Sequence, residues 1–320
     1  MHPLSNSTLF RCSPRRVPGA AFAAPGSFSL WRRKGHRPAA RHERSGRLWR
    51  YAAAVTALIL TIGQTSALAH DMWIEPTTFA PAAGKVVGVR LRVGQDLLGD
   101  PVPRDPALID QFVAVDAAAR KPIVGQDGAD PAGLLRAESA GLIVLGYRSR
   151  PVPITLAAAK FNQYLEEEGL ETIAATRAAR RQTESPAREI FVRCAKSLVW
   201  NGLTSQPQGD RTLGFTLELV AEKNPYAMSP GQEIPFRLTY EGRPIANVLV
   251  VAINRRNPSE KLKARSDADG RVRFRLTNDG MWLIKAVHMV EAPAGSNAEW
   301  ASFWASLTFE LKPAALSASR

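Results

Sequence analysis

The sequence predicts a mainly β protein with a helical insertion, built from two β-sandwich-like domains. Apolar and polar residues alternate over many short segments, and Gly, Pro and Asp separate these segments. Between positions 155 and 201 the apolar residues recur instead at helical spacing. We therefore expect an N-terminal β domain at residues 70–223 with a helical block at 155–201, and a C-terminal β-sandwich at residues 224–320.

Residues 1–69 have the features of a targeting segment. They hold eleven Lys or Arg and one acid, which leaves +3 of the net charge of +13 for the rest. The apolar run Ala52–Ile62 has the length of a signal-peptide core and is shorter than the roughly 20 residues of a membrane span. Ala67-Leu68-Ala69 resembles a cleavage site. We expect a periplasmic protein cleaved after Ala69, although an uncleaved anchor stays open.

The charge that remains after cleavage also bears on partners. At +3 the folded part is close to neutral, so its composition gives no reason to expect nucleic-acid binding. No further apolar run predicts stable membrane insertion after cleavage.

Alternating segments mark the strands of the first domain. In Lys85–Val93 the apolar residues at 87, 89, 91 and 93 share one face, which is typical of a half-buried strand. Gln111–Val115, Gly141–Tyr147 and Leu213–Leu219 are predicted to be further strands. Gly94–Asp105 is rich in Gly, Pro and Asp and is predicted to be a loop.

Two helices are predicted inside this domain. The first runs from a capping Thr155 to Glu168, with Phe161, Tyr164 and Leu165 on its apolar face. The second opens with Ser185-Pro186, a favourable N-cap and first-turn pair, and ends at Gly202.

Closely spaced strands mark the second domain. Asn224–Gly231, with two prolines and a glycine, is predicted to be the linker that precedes them. Short strands at this spacing predict a small sandwich of the transthyretin-like or immunoglobulin-like type. The predicted strands are Ile234–Tyr240, Val248–Ile253, Lys261–Arg265, Arg271–Leu276, Trp282–His288 and Phe303–Leu311.

Few residues point to chemistry. Of the two cysteines, only Cys194 follows the cleavage site, so the mature chain has no intrachain disulfide. Cys194 lies on the apolar face of the predicted second helix and is expected to be buried. The phosphate-binding loop, the dinucleotide-binding glycine motif and the nucleophile elbow of hydrolases are absent from the sequence. We therefore assign no catalytic residue, and enzymatic activity is not the leading expectation.

The histidines suggest a metal site. Cleavage after Ala69 would make His70 the first residue, so that its α-amine and imidazole could chelate one ion. The other histidine beyond the cleavage site is His288, which could add a third nitrogen, while Asp71 could add an oxygen. Nitrogen-rich tetragonal sites suit Cu(II) or Ni(II). The sequence thus predicts a divalent metal ligated by His70, His288 and Asp71.

Several segments of the sequence together resemble a known family. They are residues 70–76, 164–170, 188–196, 269–271, 285–289 and 300–309. These segments are similar to the NikM-like periplasmic proteins, formerly a domain of unknown function. The resemblance implies β-sandwich domains, a link to nickel or cobalt uptake, and a membrane transporter component as a partner. The chain itself shows no transmembrane segment after His70 and so does not look like a permease subunit.

Three functions follow from these observations. The leading hypothesis is a periplasmic protein that binds nickel, cobalt or copper for uptake or delivery. The second is a copper oxidoreductase that uses the same histidine ligands, which would need an open coordination position. The third is a β-sandwich interaction module without a metal.

Overall fold

The computed structural model describes residues 70–202 and 208–312, so the expected targeting segment lies outside the described residues. Seventeen strands, two α-helices and a short 3₁₀-helix at Pro225–Ala227 are formed within this part of the chain. In chain order, the first half contains β1 (Asp71–Pro76), β2 (Val86–Gln95), β3 (Leu98–Val102), β4 (Ile109–Val115), β5 (Arg120–Pro122), β6 (Gly133–Arg136), β7 (Leu142–Ser149), β8 (Val152–Leu156), α1 (Ala158–Glu167), α2 (Glu171–Ala179) and β9 (Ala187–Trp200). The second half contains β10 (Leu217–Ala221), β11 (Glu233–Tyr240), β12 (Arg243–Pro244), β13 (Leu249–Asn254), β14 (Leu262–Arg265), β15 (Arg271–Arg275), β16 (Gly280–Glu291) and β17 (Trp300–Leu311).

A large sheet forms the centre of the described chain. Its strand order is β14-β13-β16-β17-β9-β7-β4-β5, and β8 also pairs with β9. All its pairs are antiparallel except β17 with β9, which run parallel. This central sheet therefore joins strands from both halves of the sequence.

Both faces of the central sheet are covered. One face packs against a sheet of β10, β11, β12 and β15, and the apolar core between them includes Cys194, Phe236 and Phe309. The opposite face packs against a sheet of β1, β2, β3 and β6, with Ile74 and Val89 in the core. Helices α1 and α2 cover the same opposite face beside β1 through a separate cluster. We call the face that packs against β10, β11, β12 and β15 the C-sheet face, and the opposite face the N-sheet face.

The mainly β, sandwich-type prediction is confirmed, and the first predicted helix is present as α1. Gly169 follows the end of α1 and has a φ of +66°, a conformation that favours glycine. The N-cap position is Ala157 rather than Thr155, and it makes no side-chain cap hydrogen bond.

The predicted second helix is wrong, because residues 187–200 form strand β9. This strand is buried on both faces, so apolar residues occupy both faces and its sequence lacks the two-residue alternation of a half-buried strand. Such a sequence can also satisfy helical spacing. The predicted burial of Cys194 is confirmed, since 1% of the residue is exposed, and burial raises the pKa of its thiol to about 12.

Two strand and loop assignments also need correction. The predicted loop Gly94–Asp105 contains β3, a short and mostly exposed strand. Residues 213–216 are not part of a strand, because the backbone N–H groups of Leu213, Gly214 and Phe215 donate to the Glu218 carboxylate instead of a neighbouring strand.

The predicted domain boundary at residue 224 stays a prediction, although strands from both sides of it form the central sheet. No helix among the described residues is long and apolar enough to cross a membrane.

Candidate functional site

Strand β1 begins with an ion-pair cluster on the N-sheet face of the central sheet. Lys285, in β16, donates to Asp71 Oδ1 and to Glu168 Oε1, each at 2.7 Å. The three side chains are only 8–13% exposed. Burial alone would lower the pKa of Lys285, but the two carboxylates outweigh it and raise this pKa above its ordinary value. Lys285 therefore stays charged and links β1 and the end of α1 to the central sheet.

A second buried cation holds the first described residue. The guanidinium of Arg193, in β9, donates from Nη1 to the backbone carbonyl oxygen of His70. It also lies over two aromatic rings, 4.7 Å from the centroid of Trp304 and 5.0 Å from that of Phe191. Since Arg193 is only 5% exposed, these contacts restrict it to one position. A residue of the central sheet thus holds the start of β1 in place.

The buried carboxyl group of Glu189 helps to hold the aromatic side chains next to Arg193. Glu189 accepts hydrogen bonds from Tyr164 Oη at 3.3 Å and from Ser302 Oγ. Ser302 Oγ in turn accepts from Trp304 Nε1 at 3.0 Å, and the Tyr164 and Trp304 rings stack with centroids 5.3 Å apart. Burial raises the pKa of Glu189, and hydrogen bonds from Ser302 and Tyr164 offset part of that increase.

His70 presents an imidazole nitrogen that has no hydrogen-bond partner within residues 70–202 and 208–312. This atom, Nδ1, is buried. An unpaired buried polar atom costs free energy, so such an atom usually has a partner, which can be an ordered water or an ion. Nδ1 and the α-amine of an N-terminal histidine can bind one ion together, and this atom fits such a chelate.

The structure brings His70 and Asp71 together but does not bring His288 to them. Successive residues of a strand point to opposite faces, so Lys285 and His288 in β16 face opposite ways. Lys285 contacts Asp71 on the N-sheet face. The His288 ring instead packs edge-on against Tyr240 of β11, with centroids 4.7 Å apart, on the C-sheet face.

The ion-pair cluster opens into a cleft of about 240 Å³. Lys261 and Asp96 also line this cleft and form an ion pair at 2.6 Å. Within residues 70–202 and 208–312, no group of three or more His, Cys, Asp or Glu side chains could hold a metal ion. The described side chains of the cleft thus offer paired charges rather than a complete ligand set.

The site assembles segments that are far apart in the chain. Residues 70–76, 164–170, 188–196, 285–289 and 300–309, which carry the family resemblance, all contribute to it. Sequence reasoning singled out His70 and Asp71 but missed Lys285, Glu168 and Arg193. Lys285 and Arg193 each interrupt an apolar strand, and such a charge in a buried run is the signal that could have identified them.

The fold and this site define a β-sandwich-type protein with a buried charged cluster beneath its first strand. The chain belongs to the family described as Domain of unknown function (DUF4198), whose model matches residues 67–290. A comparison with curated proteins finds no match.

Two solved structures show only distant similarity. The D0-D1 domain of intimin is 13% identical, covers 75% of this chain and 97% of its own, and has a TM-score of 0.17. A tetra-tandem repeat from the extending region of a large adhesion protein is also 13% identical, covers 75% of this chain and 49% of its own, and has the same TM-score. Scores this low carry no argument about shape or function.

Proposed function

We propose that this chain is a periplasmic protein that binds one divalent transition metal ion at the N-terminus produced by cleavage after Ala69. The observation that carries the proposal is the environment of His70, whose carbonyl is held by buried Arg193 while its buried Nδ1 lacks a partner among the described residues. We propose nickel, cobalt or copper as the ion, because tetragonal nitrogen sites suit Cu(II) and Ni(II). The resemblance to proteins linked to nickel and cobalt uptake supports the same choice.

The proposed chelate consists of the α-amine and Nδ1 of His70. These two nitrogens leave coordination positions of the ion open for water or for a ligand from a delivery partner. We propose that this partner is a membrane transporter component. Asp71 already accepts a hydrogen bond from Lys285, so its part is to hold the start of β1 rather than to complete the ligand set. Arg193 and Lys285 thereby position the chelating residue without touching the ion.

The chelate predicts a pH dependence. An α-amine has a reference pKa of about 7.7–8.0 and binds metal only when deprotonated. Metal binding should therefore release protons and weaken as the pH falls below neutrality.

The test is calorimetric titration of Cu(II), Ni(II) and Co(II) into two forms of the mature protein. One form begins at His70 and the other carries one additional alanine before it. The extra residue keeps the imidazole but converts the α-amine into an amide, so the extended form should bind the preferred metal far more weakly.

His288→Ala is the matched control, because it removes the other histidine of the mature chain and should leave the affinity unchanged. Equal affinity of the natural and extended forms would reject the chelate. A natural form that binds none of the three ions would reject the metal-binding function itself.

A further inference from the structure

A second buried charge cluster lies on the C-sheet face, away from the site described above. Lys196 of β9 points between the central sheet and β10, with 1% of its side chain exposed. Asp210 and Glu218 meet it there, with 0% and 1% of their side chains exposed. The proposed function uses none of these residues.

The amine of Lys196 is crowded against the carboxyl group of Asp210. Its Nζ lies 3.1 Å from Asp210 Oδ1 and 3.2 Å from Oδ2, so it faces the carboxyl group nearly symmetrically. It is also 3.1 Å from Glu218 Oε1, 2.9 Å from the Arg211 carbonyl oxygen and 3.1 Å from that of Leu219. These five oxygens exceed the three protons that a lysine ammonium can donate.

Glu218 is held in place as a proton acceptor. Its carboxylate receives backbone N–H bonds from Leu213 at 2.6 Å, Gly214 at 3.0 Å and Phe215 at 3.2 Å. Such bonds fix the orientation of the carboxylate. A base is thus fixed within hydrogen-bond distance of a buried amine that adjoins a second carboxyl group.

We propose that Lys196 and Asp210 form an intramolecular amide cross-link, with Glu218 as the base. Glu218 Oε1 takes one proton from the Nζ ammonium and keeps it. The freed electron pair of Nζ forms a bond to Cγ of the protonated Asp210 carboxyl group. A second Nζ proton leaves with the Asp210 hydroxyl as one water molecule, while the third remains on the amide. Nothing is oxidised or reduced, and the site is neutral before and after.

The surroundings favour this product. The Lys196 ammonium and the Glu218 carboxylate are out of contact with water, which has a large desolvation cost. Formation of the amide removes the charge of Lys196, and the proton that Glu218 keeps removes the other charge. Burial raises the pKa of Asp210, which supports the neutral carboxyl group that the amine attacks. Asp210 accepts backbone bonds from Arg211 at 2.7 Å and from Ala221 at 2.9 Å, and the amide carbonyl oxygen can keep one of them.

The test is tryptic mapping of the wild-type protein by mass spectrometry. Trypsin does not cleave after an acylated lysine, so the cross-link predicts one peptide, residues 194–211, that lacks the mass of one water and is not cleaved after Lys196. Separate peptides 194–196 and 197–211 of full mass would overturn the proposal. Dehydration confined to 197–211, with cleavage after Lys196, would also overturn it, because that pattern marks a cyclised aspartate instead.

Two variants assign the groups. Lys196→Arg keeps the positive charge but should show no loss of water, and a loss there would overturn the assignment to Lys196. Glu218→Gln keeps the shape of the side chain and should lower the cross-linked fraction, whereas an unchanged fraction would overturn the role of Glu218 as base. The wild-type digest decides whether the bond exists even if a variant fails to fold.

Discussion

At the scale of single residues, the molecule depends on charges buried inside apolar strands. Glu189, Arg193 and Lys196 all belong to β9 and are 1–5% exposed, and each finds partners from other elements. A buried charge without a partner is costly, so each of these residues specifies which element must pack against it. Glu189 and Arg193 point toward β1 and the helices, whereas Lys196 points toward β10.

Glu189 gives a pH-dependent prediction. Because burial raises its pKa, the folded state holds the Glu189 proton up to a higher pH than the unfolded chain, where glutamate has a pKa of about 4.3. The resulting stabilisation is complete below that pKa and is lost as the pH rises through the folded-state pKa. Glu189→Gln does not titrate, so wild type should lose stability relative to it as the pH rises above about 4.3.

Urea unfolding of both proteins at several pH values measures this difference. Other groups titrate equally in the two proteins, so they cancel. A difference in unfolding free energy that stays constant over this range would contradict the raised pKa.

At the scale of elements, the central sheet is buried on both faces. This burial explains both its sequence and which substitutions it can tolerate. Strands β7 and β9 contact cores on both faces, so neither strand has a solvent-facing row of polar side chains. Backbone positions in such strands have little spare volume. Gly146 in β7 lies directly beneath Leu213 and Phe215, which pack over it from the C-sheet face.

Gly146→Ala should therefore be destabilising. A Cβ atom there would lie 2.2 Å from Leu213 Cδ1 and 2.9 Å from Phe215 Cζ, so both side chains would have to move. Overpacking of this kind costs about 1–3 kcal/mol. Gly209→Ala is the control, since a Cβ at that position meets nothing within 4 Å. Thermal or urea unfolding should rank Gly146→Ala clearly below both the control and wild type, and equal stability would contradict the packing.

At the scale of the whole molecule, the first strand is tied to the last part of the described chain. β1 lies across the N-sheet face, where Thr308 Oγ1 of β17 donates to the Ile74 carbonyl oxygen at 2.7 Å and Lys285 of β16 binds Asp71. These contacts join residues more than two hundred positions apart. The proposed mature N-terminus is therefore held by the C-terminal half of the sequence.

Lys285→Met should weaken this tie strongly. It would leave Asp71 and Glu168 buried without their cation, a change that typically costs about 3–5 kcal/mol. The triple variant Asp71→Asn, Glu168→Gln, Lys285→Met removes all three charges and should recover much of the loss, because no unpaired ion remains. Urea unfolding compares the three proteins. Unchanged stability of Lys285→Met, or a triple variant less stable than it, would contradict the ion-pair cluster as a structural tie.

The β class, α1 and most strands of the second half could be predicted from the sequence, because alternation and turn residues are local signals. It failed at β9, where burial on both faces removes the alternation that distinguishes a strand from a helix. It also directed attention to His70 and Asp71 through their position after a cleavage motif.

The tertiary structure alone decided which residues meet. Strand parity placed Lys285 beside Asp71 and turned His288, three residues further along β16, to the other face of the sheet. Sequence spacing across more than two hundred residues carries no information about such pairing, since it depends on the register and packing of strands that are remote in the chain. For the same reason, the sequence could not predict that Arg193 contacts His70 or that Asp210 contacts Lys196. Both contacts depend on how the central sheet packs against its two covering layers.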